Sequence, residues 1–133
     1  MPTLNELRDS IHKNAVEHGF YDEERKPHSE AVHHAFTAQK IALIHSELSE
    51  ALEADRAGKY AMVHHFDFAL NDVGVSFSEA FETHVKDTFE DEIADAIIRL
   101  LDLCGALGID IDNHIQMKMA YNQSRPLKHG KKY

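Results

Sequence analysis

The sequence predicts an all-α protein, a bundle of four to five helices, and three observations carry that prediction. Apolar residues recur at helical spacing over most of the chain, side chains that cap helices precede the apolar runs, and glycines follow them. At 133 residues the chain suits a single domain, residues 1–133, with length enough to bury a core.

Thr3-x-x-Glu6 has the form of a capping box, and Leu4, Leu7, Ile11, Ala15 and Val16 follow at helical spacing up to Gly19. This predicts a first helix at about 4–18. Phe20 to His28, rich in charge and holding Pro27, reads as a connecting loop. Ser29 is placed to cap a long second helix whose apolar positions, from Val32 through Ile44 to Leu52, run on until Gly58. Residues 59–87 form the least regular stretch and read as an insertion or lid. Within it, YAMVHHFDFAL fits either a helix or a short alternating strand, and Ser76 to His84 fits a short helix or turn. Thr88-x-x-Asp91 repeats the capping-box form ahead of a run from Phe89 to Leu107 that Gly108 ends. The apolar arc of that run covers more than half of the wheel, which calls for burial on several sides, at a bundle centre or a subunit interface. Asp110 is placed to cap a last helix through Ile111, Ile115 and Met119, and Pro126 stops it, leaving RPLKHGKKY as an irregular tail.

Composition narrows the class. The hydrophobic fraction is 43% and the charged fraction 28%, as in ordinary globular proteins. The N-terminal segment lacks a signal-like apolar run, and the strongest apolar stretch, IIRLLDLCGAL, is interrupted by Arg99 and Asp102 and too short to span a membrane. Cys104 is the single cysteine, which excludes an internal disulfide; a cytoplasmic location and no membrane partner are expected. The net charge of −9 is unevenly spread: residues 113–133 carry +5, and the 23 acids of residues 1–112 outnumber nine cations there. A basic tail alone suits nucleic acid or solvent. Beside an acidic, metal-holding site it suits a metal-bound polyphosphate better, so nucleic acid is not the expected partner.

That acidic site is proposed by two pairs: Glu47-x-x-Glu50 within IALIHSELSEALEADR and Glu92-x-x-Asp95 within FEDEIADAIIRLLDL. An i, i+3 spacing directs both carboxylates out of one side of a helix. Two such helices facing each other gather four carboxylates. At about 6 Å and an effective dielectric of about 20, each pair of charges repels by about 3 kcal/mol. A hard divalent ion relieves that repulsion.

The SELSEALEA run, the EDEIADAIIRLLDL run and the C-terminal KMAYNQSRPLKHGKKY together resemble the MazG-like all-alpha nucleoside triphosphate pyrophosphatases, in the expected order and over about half of the chain. The resemblance implies a MazG-like bundle completed by oligomerisation, as a homodimer or homotetramer. It implies Mg²⁺, with Mn²⁺ as the alternative, held by Glu47, Glu50, Glu92 and Asp95 as the catalytic acids. It also implies hydrolysis of ribo- or deoxynucleoside triphosphates to a monophosphate and pyrophosphate, a reaction suited to cleaning nucleotide pools, with Lys118, Asn122 and Arg125 on the phosphates. Two departures stand out. Ser46 occupies a position where the family commonly has a glutamate, and the connection from Glu50 to Glu92 is longer than the family's usual helix-turn-helix connection.

The eleven histidines offer no HExxH pattern, so histidine ligation is not expected. From another class comes a second reading, a non-catalytic helical binding or interaction protein whose acids are solvated and whose basic C-terminal tail docks on nucleic acid or an acidic partner.

Overall fold

A computed structural model describes residues 1–132. Its α-helices are α1 (Leu4–Glu17), α2 (Glu30–Arg56), α3 (Val63–Phe68), α4 (Phe77–His84), α5 (Phe89–Leu107) and α6 (Ile111–Ser124), and no strand occurs among the described residues. A π-helical turn, Ala69–Val73, joins α3 to α4, and a 3₁₀ turn, Leu127–Gly130, follows α6. The tail expected to be irregular therefore holds a short helical turn. The all-α expectation stands, with six α-helices where four to five were expected. The additional elements lie in residues 59–87, where YAMVHHFDFAL is helical from Val63 on.

The caps explain the boundaries. Thr3 accepts from the Glu6 amide at 3.1 Å while the Glu6 carboxylate accepts from the Thr3 amide at 2.7 Å, a complete capping box. Ser29 and Asp110 accept from the Val32 and Asn113 amides, at 3.3 and 3.2 Å. At α5 the box is displaced by one residue: Thr88 accepts from the Asp91 amide at 3.4 Å, but the Asp91 carboxylate accepts from the amide of Asp87, which has φ of 61°, instead of from that of Thr88. At the end of α2 the Gly58 and Lys59 amides donate to the Asp55 and Ala54 carbonyls at 3.0 and 2.9 Å, with Gly58 at φ +67°, which is a Schellman arrangement.

Within the expected single domain, the chain forms two compact units: Met1–Arg25 with Leu101–Tyr133, and Lys26–Leu100. In the first, α1 packs on α6 and their N-terminal ends cap one another. The Leu4 and Asn5 amides donate to the Asp112 carboxylate at 3.2 and 3.0 Å, and the Asn5 carboxamide oxygen accepts from the Ile111 amide at 3.0 Å. One carboxylate thus sits at the positive ends of two helix dipoles. Arg8 donates to the Ile109 carbonyl at 2.6 Å. Tyr21, in the loop after α1, is 4% exposed; its hydroxyl donates to Asp102 at 2.7 Å, and the other Asp102 oxygen lies 2.9 Å from His12 Nδ1. Gly105 permits this approach, because a Cβ there would stand 2.6 Å from His12 Cβ.

In the second unit the buried positions are small: Ala51 and Ala54 on α2, Ala80 on α4, Ala96 on α5, with Ile44 the largest on α2. The 59–87 segment closes on itself. The Met62 amide donates to the His84 carbonyl at 2.9 Å, and the Phe66 and Phe77 rings meet edge to face at 5.5 Å. Large apolar side chains remain exposed on α2 (Ile41, Leu48, Leu52) and α5 (Ile97, Ile98, Leu100). No described helix is long and apolar enough to cross a membrane.

A candidate metal centre

Glu47 and Glu50 project from one side of α2, and Glu92 from the first turns of α5. Carboxylate oxygens from these three side chains all lie within 4.8 Å of one another. Two ligands stand at most about 4.2 Å apart around Mg²⁺ and up to about 5.2 Å apart around Ca²⁺, so a spread of up to 4.8 Å suits a Ca²⁺-sized ion directly and a Mg²⁺ after the carboxylates close by about half an ångström. Glu47 and Glu92 are nearly sealed from solvent, 6% and 8% exposed, while Glu50 faces outward. The donor set is all oxygen, the chemistry that suits Mg²⁺, Mn²⁺ or Ca²⁺ rather than a thiophilic ion. The residues fit such an ion.

Electrostatics describe the cost of gathering these acids without one. Burial pushes the Glu92 carboxyl up to about 7, reinforced by the Glu50 charge and by the Glu47 side chain. Glu50 is raised by its hydrogen bond to Glu47 and by the charge it faces there. For Glu47 burial acts upward, but the Arg99 guanidinium, together with hydrogen bonds from Glu50 and Glu92, outweighs it and holds the group below the ordinary carboxylate value. The Arg99 Nε donates to Glu47 at 2.6 Å. Three acids therefore share protons and a single guanidinium where a divalent ion would meet all of them.

Asp95 lies one turn beyond Glu92. It is half-buried and outside the group of three, with its carboxyl raised by burial and then by the Asp91 and Glu47 charges. Asp95 thus borders the cluster, although Glu50, at the same spacing from Glu47 on α2, belongs to it. Lys118, Asn122 and Arg125 belong to the first unit. Lys118 and Arg125 converge on the ring of Tyr121, at 5.2 and 5.5 Å from its centroid, and the Asn122 carbonyl accepts from the Arg125 amide at 3.2 Å.

Two participants carry weaker sequence signals. Arg99 falls four residues after Asp95 and seven after Glu92, on the acid side of α5, and that periodicity is the clue to its pairing. Lys59 follows the glycine that ends α2 and lines a cavity of about 400 Å³ together with Glu50. No family model matches the chain, and no curated protein or solved structure matches it either.

Proposed function

We propose that the protein is a Mg²⁺-dependent nucleoside triphosphate pyrophosphohydrolase, using Mn²⁺ as the alternative ion, that acts as a homo-oligomer in the cytoplasm. The observation that carries this reading is the convergence of Glu47, Glu50 and Glu92 within 4.8 Å, from two helices whose acids are more than forty residues apart in sequence. The MazG-like resemblance of the same segments supplies the reaction: water is added across the bridge between the α and β phosphates. The water oxygen bonds to the α phosphorus, the bridging oxygen leaves with pyrophosphate, and the water's proton passes to a carboxylate and on to solvent.

Bound Mg²⁺ supplies charge neutralisation on the phosphate oxygens and a more acidic water. Glu47, Glu50 and Glu92 hold it, with Asp95 as the fourth acid, and Arg99 fixes the orientation of Glu47. Asp95, outside the group of three, is the acid positioned to take the proton. Asp91 is occupied in capping α5. Lys118, Asn122 and Arg125 keep the phosphate-binding role that the resemblance gives them.

The surface supports the oligomer. Within the second unit α2 and α5 leave Ile41, Leu48, Leu52, Ile97, Ile98 and Leu100 exposed, large apolar side chains of the kind that subunit interfaces cover. Light scattering should return two or four times the chain mass of 15.1 kDa.

A panel of ribo- and deoxynucleoside triphosphates with Mg²⁺ tests the reaction. Pyrophosphate and a monophosphate are the expected products; orthophosphate alone, or no turnover, refutes it. The second reading, a non-catalytic interaction protein, draws on the Arg99–Glu47 pair, which ties α2 to α5 without any ion. Calorimetric titration separates the two, since a pairing that is only structural gives no Mg²⁺ binding that Glu92→Gln removes.

A further inference from the structure

The cavity beside the acid cluster is lined by Ser49, Glu50, Glu53, Ala54, Ala57, Lys59 and Asp87, and its volume of about 400 Å³ is of the size that small ligands occupy. Glu50 belongs both to this cavity and to the group of three carboxylates, so the cavity opens directly beside the candidate ion position. Its lining carries three carboxylates and one cation, Lys59. The Lys59 backbone is held at both ends. Its amide donates to Ala54 at the end of α2, and its carbonyl accepts from the Phe89 amide, the first residue of α5, both at 2.9 Å. The two helices that supply the acids therefore also fix where this lysine stands. Among the described residues its ammonium makes no ion pair within 4.0 Å, although three carboxylates share the cavity wall.

We propose that Lys59 is a substrate-binding residue whose ammonium contacts the phosphate chain of a metal-bound nucleoside triphosphate in this cavity. The proposal rests on reading the acid cluster as a triphosphate-hydrolysing centre. A polyanion entering beside Glu50, Glu53 and Asp87 meets like charge on every acidic wall, and a backbone-anchored cation there reverses the local sign. A lysine on a flexible stem suits this role, since it acts as a point charge and follows the phosphates without demanding a fixed fork geometry.

Steady-state hydrolysis by the full chain, compared for wild type, Lys59→Ala and Lys59→Arg, provides the test, with circular dichroism confirming equal helicity. Lys59→Ala should raise KM for the triphosphate by roughly tenfold while kcat stays within about twofold, and Lys59→Arg should recover most of the loss. Mg²⁺ alone, titrated calorimetrically, should bind Lys59→Ala at least as tightly as wild type, since a neighbouring positive charge has been removed. An unchanged KM in an active enzyme overturns the role of Lys59 and leaves the reaction standing. A matching loss of Mg²⁺ affinity also overturns it, because the lysine would then be supporting the acids and not the substrate. Absence of turnover by wild type overturns both.

Discussion

Helix α5 carries two enclosed carboxylates ten residues apart, and their surroundings are opposite. Asp102 receives a hydrogen bond from the Tyr21 hydroxyl and lies against His12 Nδ1, so both of its oxygens have partners in the fold. Glu92 is buried beside other acids, and burial first, then the Glu50 charge and the Glu47 side chain, raises its proton affinity, to about 7. A buried carboxylate that the fold satisfies contributes to holding helices together. One surrounded by like charge destabilises the ion-free protein and is understandable as a binding group. The difference is between an acid that the fold satisfies and one that burial and like charge hold above its ordinary proton affinity.

The largest effect expected from breaking this contrast is on turnover. Glu47→Gln or Glu92→Gln should lower pyrophosphate release by about a hundredfold or more, with the far-ultraviolet spectrum unchanged. Unaltered rates in both variants would remove these residues from the site.

Next come the stability effects around Asp102. Gly105→Ala drives a methyl to 2.6 Å from His12 Cβ and should destabilise by about 2 kcal/mol in urea unfolding. Helix propensity alone gives the opposite sign, a gain of about 1 kcal/mol, so the measurement decides between them. Tyr21→Phe, which removes one donor from Asp102, should cost about 1–2 kcal/mol. Metal affinity in both variants should stay at the wild-type value at temperatures where they remain folded.

The smallest effect is the most diagnostic. Glu92 in the folded protein has its pKa raised to about 7 from an ordinary 4.5, so folding favours its protonated form. The associated stability is complete below about pH 4.5 and lost as pH rises through 7. Metal-free Glu92→Gln should therefore be more stable than wild type at pH 8, by on the order of 1 kcal/mol, with the advantage vanishing near pH 4. With Mg²⁺ present the order should reverse, because only wild type gains from binding. A variant less stable than wild type at pH 8 without metal would show that burial and like charge do not destabilise the Glu92 carboxylate.

How far sequence reached is clear from particular residues. Thr3, Ser29 and Asp110 mark helix starts that depend on one side chain and its nearest amides, and those interactions are local enough to read directly. Glu47, Glu50 and Glu92 were identifiable because helical periodicity assigns each to a face. Periodicity does not say how far one helix is turned toward another, so it gives no sign that Asp95 borders the cluster, and it puts Arg99 on the acid side of α5 without naming Glu47 as its partner. Tyr21 was obscured by its setting, since FYDEERKPH has the composition of a solvated loop and the groups that meet its ring and hydroxyl, His12 and Asp102, are distant in sequence. The 59–87 segment was ambiguous because its order comes from ring packing between short elements, with no long apolar stripe to announce it.

The alanines near the acids have one more implication. Ala51 and Ala54 lie one and two turns after Glu47, and Ala96 lies one turn after Glu92, all of them buried. A buried methyl one turn from each enclosed acid leaves no room for a larger side chain without a shift of its surroundings. Adding a carbon or two at Ala51 or Ala96 would thus disturb the carboxylates through packing alone, from residues with no charge at all.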